Sequence, residues 1–526
     1  MNFVQVNRRQ VCLLGLAALA SGRVSAQSYP DADGLHVLNR LAYGPALGDI
    51  GRVMQIGVER YIDEQLHPER LPLPPPLMQQ LDALDTTRLS QRELIVQFRE
   101  AQQSARKDSE EGKAQRREFY QRLTLQAGEA RLLRALQSPA QLQEVMVDFW
   151  FNHFNVFMGK GLDRALVENY EREAIRPYAM GRFRDLLRAT AHHPAMLFYL
   201  DNWQSVATGY RPQRASGPAA KASGLNENYA RELMELHTLG VDGGYAQTDV
   251  TELARMLTGW TFNPRLGAGD SAFYFDAKRH DDGEKQWLGR RVPGRGQAEG
   301  EEALDVLAMH PATARRIGYK LAQYFVSDEP PKALVERLSR RFLDTGGDIR
   351  AVLKTLFEST EFRAPSAVDA KFKTPYRYLV SAVRASGIAI SNVRPLVTTA
   401  YQLGMPLYGC QTPDGYKNTE VAWLNPEAIT RRINFANAFA SGRLPFARPM
   451  DDTEAVGMGK SALQRAVDRA STARFNPAWA TPPIDVDVVL GVLGSGISAR
   501  TRDAVAQADP GLRAALVLGS PDFMHF

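Results

Sequence analysis

Leu35, Val37, Leu38, Leu41 and Ala42 recur at a spacing of three to four and the run stops at Gly44-Pro45, which predicts a short amphipathic helix. The same period recurs along most of the chain. It predicts helices over residues 50–66, 139–157, 164–178, 182–191, 193–200, 312–324, 332–343, 349–359, 376–386, 424–440 and 511–518, with a further helical stretch from Glu301. In the 139–157 segment Leu142, Val145, Met146, Phe149, Trp150, His153 and Val156 form a wide apolar stripe, and Glu144, Asp148, Asn152 and Asn155 occupy the other side. The period fails in four places. Residues 71–76 read as a polyproline-type connector, and residues 202–225 as a long loop. Residues 262–296 carry Gly, Pro, Asp and aromatic side chains that suggest a hairpin with strands at 273–275 and 287–289. Residues 441–483 look peripheral, as does the alternately charged segment 100–120. There is no βαβ rhythm and no internal repeat, so the expectation is a mainly α fold: one large multi-helix domain over residues 27–526 with a small irregular or β-hairpin insertion.

The N-terminus breaks the pattern in a different way. Asn7-Arg8-Arg9-Gln10-Val11-Cys12-Leu13-Leu14 is a twin-arginine pattern, followed by an apolar run to Ala20 and a small-residue cleavage site at Val24-Ser25-Ala26. Residues 1–26 therefore read as a signal peptide that directs a folded chain to the periplasm or beyond, and the apolar run is too short for a stable membrane span. Cys12 opens that run instead of closing it, which does not fit a lipoprotein signal. Removal of the segment leaves Cys410 as the single cysteine, so the mature chain forms no internal disulfide. An apolar content of 44% and a charged content of 23% are ordinary for a globular chain, and a formal charge of +5 without a basic tract points to no nucleic-acid partner.

Chemistry concentrates in Asn226-Glu227-Asn228-Tyr229-Ala230-Arg231-Glu232-Leu233-Met234-Glu235-Leu236-His237. On a helix at about 100° per residue, Asn228, Arg231, Glu232 and Glu235 share one face, Tyr229, Leu233 and Leu236 lie beside them, and Ala230, Met234 and His237 lie opposite. Asn226 is placed to cap the helix and Gly240 to end it. Arg231 and Glu235 at i,i+4 also fit an ordinary surface ion pair. If the face lines a cleft, Glu232 and Glu235 can divide labour as acid and base, because two carboxyls in one cleft push their proton affinities apart. Tyr245 and Trp260 would then suit a sugar ring, and Asp148, Asn152, His280, Asp281 and Lys285 are further candidate substrate contacts. Glu227, Asp148 or Asp281 would serve equally as the second carboxylate. Glu232, Glu235 and His237, joined by His153 or His280, offer ligands to a metal, but their spacing matches no metal signature, and His153 and His237 read as hydrogen-bonded core residues. No metal ligand is assigned. His280-Asp281 lacks an accompanying Ser or Cys nucleophile, and no phosphate loop, dinucleotide fingerprint or haem motif implies a cofactor.

Taken together, residues 35–45, Phe149-Trp150-Phe151-Asn152-His153-Phe154, residues 226–245, Leu257-Thr258-Gly259-Trp260 and His280-Asp281 with Gly283 and Lys285 resemble the bacterial family called domain of unknown function 1800, over the chain from about Leu35 onward. The resemblance implies export and genes often adjacent to sulfatase-like proteins, but no activity. The functional expectation is therefore an exported hydrolase acting on a polar, carbohydrate-like polymer through paired carboxylates. The alternatives are a non-catalytic partner of an exported sulfatase-like enzyme and a metal-dependent enzyme.

Overall fold

The computed structural model describes residues 32–106, 109–211, 224–447 and 477–526. The twin-arginine pattern, the cleavage site, the middle of the 202–225 loop and most of the 441–483 segment lie outside these residues. The fold is mainly α-helical, with two small antiparallel strand pairs among the described residues. No described helix is long and apolar enough to cross a membrane.

The helix predicted over residues 50–66 divides into Asp49–Ile56 and Val58–Leu66 at Gly57, whose φ of 86° a β-carbon would strain. Gln91–Arg106 and Glu110–Gln137 form a long pair, the second capped by Ser109, whose hydroxyl accepts from the Gly112 N–H at 3.1 Å. Every residue of Pro375–Ser386 is buried, so this helix runs through the middle of the molecule. The apolar stripe of Gln141–His153 packs inward as its period requires, with Trp150 wholly enclosed.

The polar side of that helix is covered as well. Arg176 bridges both Glu144 oxygens at 2.8 and 2.9 Å and reaches Glu171 at 3.3 Å. Arg131 binds Asp148 and lies 3.2 Å from Glu171, which also accepts from the Tyr408 hydroxyl at 3.0 Å. Burial costs these charges their hydration, and mutual pairing offsets that cost. The network thus joins the helices Glu110–Gln137 and Gln141–His153 to a π-helical turn at Glu171–Ile175.

The insertion differs from the expected single hairpin. Phe273–Phe275 is a strand, but it pairs with Trp260–Phe262, in the register Thr261 opposite Tyr274. Lys285–Trp287 pairs instead with Arg290–Val292. Leu288 and Gly289, expected in a strand, form the two-residue turn of this second pair with φ of 47° and 71°, the positive values a tight hairpin turn demands. The Leu288 N–H donates to Asp249 at 2.7 Å, which anchors the turn.

Candidate functional site

The central helix begins as expected and then changes pitch. Asn226 Oδ1 accepts the Asn228 N–H at 2.9 Å, and α-helix runs over Asn228–Glu232. Leu233–His237 is a π-turn, so the regular 100° phase does not hold through it. The Thr238 hydroxyl satisfies a carbonyl this widening frees, donating to Leu233 O at 2.6 Å. Leu233, Met234 and His237 are buried, while Arg231, Glu232 and Glu235 are partly exposed and Asn228 is exposed. The expected Arg231–Glu235 pair is replaced by a bond from Arg231 back to Glu227 at 3.3 Å and to Gln247 at 2.9 Å. Glu227 also takes Thr251 and Gln247, so it serves to tie this helix to Gln247–Met256.

Distant segments complete the surroundings of Glu232 and Glu235. Arg316 and Lys320 come from the helix Pro311–Phe325, and Asp414 and Lys417 from the loop that follows Cys410. Asn152 holds that loop with two bonds of 2.7 Å, one to and one from Tyr416, and the backbone of Asn152 approaches Gly415 so closely that a β-carbon there would lie 2.2 Å from it. Asn155 donates to the carbonyls of Cys410 and Thr412, and the Tyr199 hydroxyl to that of Gln411. Burial and the neighbouring Glu235 charge raise the Glu232 carboxyl above its ordinary range; Arg231 opposes this and Asp414 adds to it. The Tyr245 hydroxyl is raised too, by burial and then by Glu235.

His153 links the π-turn to the helix Pro311–Phe325. His153 Nε2 donates to the His237 carbonyl at 3.0 Å, leaving Nδ1 to accept from Lys320 Nζ at 2.8 Å. Burial and the Lys320 charge keep His153 neutral, well below its usual range. Burial, Arg316 and Lys417 bring the Lys320 amine down to about 7. His237 is likewise neutral, lowered to about 3 by burial, Lys320 and Arg316.

The remaining predicted contacts lie elsewhere. Asp148 and Asn152 border a separate cavity of about 20 Å³ with Arg131, Tyr376 and Tyr416, room for about one water. Trp260 is 0% exposed and packs against His192 and Phe273, so its indole is part of the core and offers no face to a sugar. Lys285 and His280 are enclosed around Glu299, at 2.5 and 3.1 Å. Glu299 also accepts from the Arg295 and Gly296 amides, capping the helix Gln297–Ala308. Asp281 is forked by Arg255 at 2.9 and 3.1 Å, and that pairing holds its carboxyl below the usual range. These residues lock the insertion to the helices beside it. Among the described residues no group of three or more His, Cys, Asp or Glu is placed to hold a metal, and the acids and histidines considered for that role do not converge.

A profile for proteins of unknown function, DUF1800, matches residues 36–525. The chain belongs to this family. No curated protein and no solved structure matches it. The DUF1800 match spans the π-turn, the Pro311–Phe325 helix and the 410–417 loop, so the whole candidate site lies within the family region.

Lys320, Arg316, Asp414 and Lys417 escaped sequence reasoning because nothing local links them to the 226–240 motif. The signal that was available is a lysine one turn from Arg316 on a helix whose other side is apolar.

Proposed function

We propose that this DUF1800 protein is an exported hydrolase acting on a polar, carbohydrate-like polymer, with Glu232 as general acid and Glu235 as general base. The observation that carries the reading is the partly exposed Glu232 carboxyl at the end of the α-helical segment, raised by burial and by Glu235 on the π-turn that follows, a shift in the direction that suits a general acid. Arg231 and Arg316 supply positive charge beside the carboxylates, and Lys320 donates to His153 behind Arg316. The twin-arginine pattern and the small-residue site at Val24-Ser25-Ala26 support export.

Glu232→Gln and Glu235→Gln should each lower turnover on a responsive glycan by about 10²–10⁴-fold while circular dichroism and thermal unfolding stay near wild type. Undiminished activity in both variants would overturn the assignment. Fractionation of cells producing the full chain, with and without Arg8→Lys and Arg9→Lys, tests export: the paired change should leave the protein in the cytoplasm.

A further inference from the structure

A groove of about 730 Å³ runs between the Gln91–Arg106 helix and the Trp260–Phe262/Phe273–Phe275 strand pair, a size within the ~300–1,000 Å³ range of ligand sites. One wall is aromatic. Phe198 and Trp203 stack with centroids 5.7 Å apart and planes 18° apart, and Phe262 lies 5.9 Å from Trp203. Tyr274 lines the groove as well. The wall is fixed by hydrogen bonds to the Trp203 carbonyl, from the Arg279 guanidinium at 2.7 Å and the Thr261 hydroxyl at 3.2 Å.

The charge of the groove is one-sided. Its lining holds the cations Arg99, Lys278 and Arg279 against the single carboxylate Asp276, and Asp276 is occupied in capping the Lys278 amide at 3.1 Å. Arg99 and Lys278 are exposed and enter no ion pair among the described residues. Aromatic faces carry negative quadrupoles that suit the C–H faces of sugar rings, and a guanidinium fork matches a carboxylate. The segment that forms the groove wall is also tied to the start of the central helix. Gly161 and Trp203 line the groove, and Lys160, beside Gly161, pairs at 2.8 Å with Asp201, two residues before Trp203. Asn226 and Asn228, at the start of the central helix, donate to the carbonyls of Asp201 and Leu200.

We infer that this groove binds a run of uronate rings, so that the polymer acted on at Glu232 and Glu235 is an acidic polysaccharide. The identity of the polymer as substrate rests on the hydrolase reading; the binding of uronate rings does not. The aromatic wall takes the ring faces and Arg99 and Lys278 take the carboxylates.

The test is calorimetric titration of the full mature chain carrying Glu232→Gln with a short oligogalacturonate, beside a neutral cello-oligosaccharide of equal length. Oligogalacturonate should bind, more tightly than the neutral chain, and added salt should weaken it. Arg99→Gln with Lys278→Gln, both on exposed side chains, should lower its affinity by about tenfold, the sum expected of two solvent-exposed charge contacts. Tyr274→Ala should weaken both sugars. Absence of oligogalacturonate binding, equal affinity for the neutral chain, or unchanged affinity in the Arg99/Lys278 variant would overturn the inference. The two readings separate cleanly: binding with full turnover in the Glu232 and Glu235 variants defeats the chemistry and leaves the groove, whereas loss of turnover in those variants with no oligogalacturonate binding defeats the groove and leaves the chemistry.

Discussion

Lys285→Met is the sharpest test of how the insertion is held. The Lys285 and Glu299 side chains are 0% exposed, and the methionine keeps the buried aliphatic stem, so the change removes the ammonium with little loss of apolar contact. Removing one partner of a buried ion pair costs about 3–5 kcal/mol, because the other charge remains without hydration. Here Glu299 retains the Arg295 amide at 2.6 Å, the Gly296 amide at 3.1 Å and His280 at 3.1 Å, which places the loss near the lower end, at about 3 kcal/mol. A chain of this size need not unfold in one step, so the assay is native-state hydrogen exchange, read at the amides of residues 281–303. Their exchange should quicken by about a hundredfold, the equivalent of about 3 kcal/mol at ~1.4 kcal/mol per tenfold. Adding Glu299→Gln should restore most of the protection, since the amide oxygen still caps the helix without a buried charge. The effect should also depend on pH. Against the desolvation that burial imposes, Lys285, the Arg295 amide and His280 hold the Glu299 carboxyl below its ordinary value of 4.5. A depressed carboxyl contributes stability that is present above 4.5 and lost as pH falls through the folded value, so wild type and Lys285→Met should converge in acid. Exchange rates within about twofold of wild type at neutral pH, a difference of ~0.4 kcal/mol, would refute the reasoning.

Three further outcomes follow from single contacts. Gly300→Ala would gain helix propensity of about 0.5–1 kcal/mol, yet its β-carbon would lie 2.3 Å from the Trp260 ring; overpacking costs about 1–3 kcal/mol, so thermal unfolding should show net destabilisation. The Lys320 amine, brought to about 7 by burial, Arg316 and Lys417, should react with an acylating reagent at neutral pH, with a midpoint that rises in Arg316→Gln; mass spectrometry of labelled peptides reads this, and a midpoint near the ordinary lysine value of about 10.4 would refute it. In Glu235→Gln the Glu232 carboxyl should titrate at lower pH than in wild type, because the charge that helps to raise it is gone; carbon-13 NMR of labelled glutamate measures the direction, and an unchanged midpoint would show that the two do not interact.

The apolar periods of residues 139–157 and 376–386, the Asn226 cap and the mainly helical fold were legible in the amino-acid order, because a helix face depends on neighbours within four residues. So was the concentration of carboxylates at Glu232 and Glu235. Tertiary structure decided what surrounds them. The π-turn at Leu233–His237 lengthens the backbone hydrogen-bond span by one residue, which periodicity does not register; Asp414 and Lys417 arrive through contacts that Asn152, Asn155 and Tyr199 make, and Lys320 through its bond to His153, all across more than a hundred positions. Trp260, His280 and Lys285 show the converse: side chains that suit a binding site by type are buried here, where Glu299, Gly300 and His192 enclose them. A residue type states which bonds are available, and burial decides whether a ligand or the protein itself makes them.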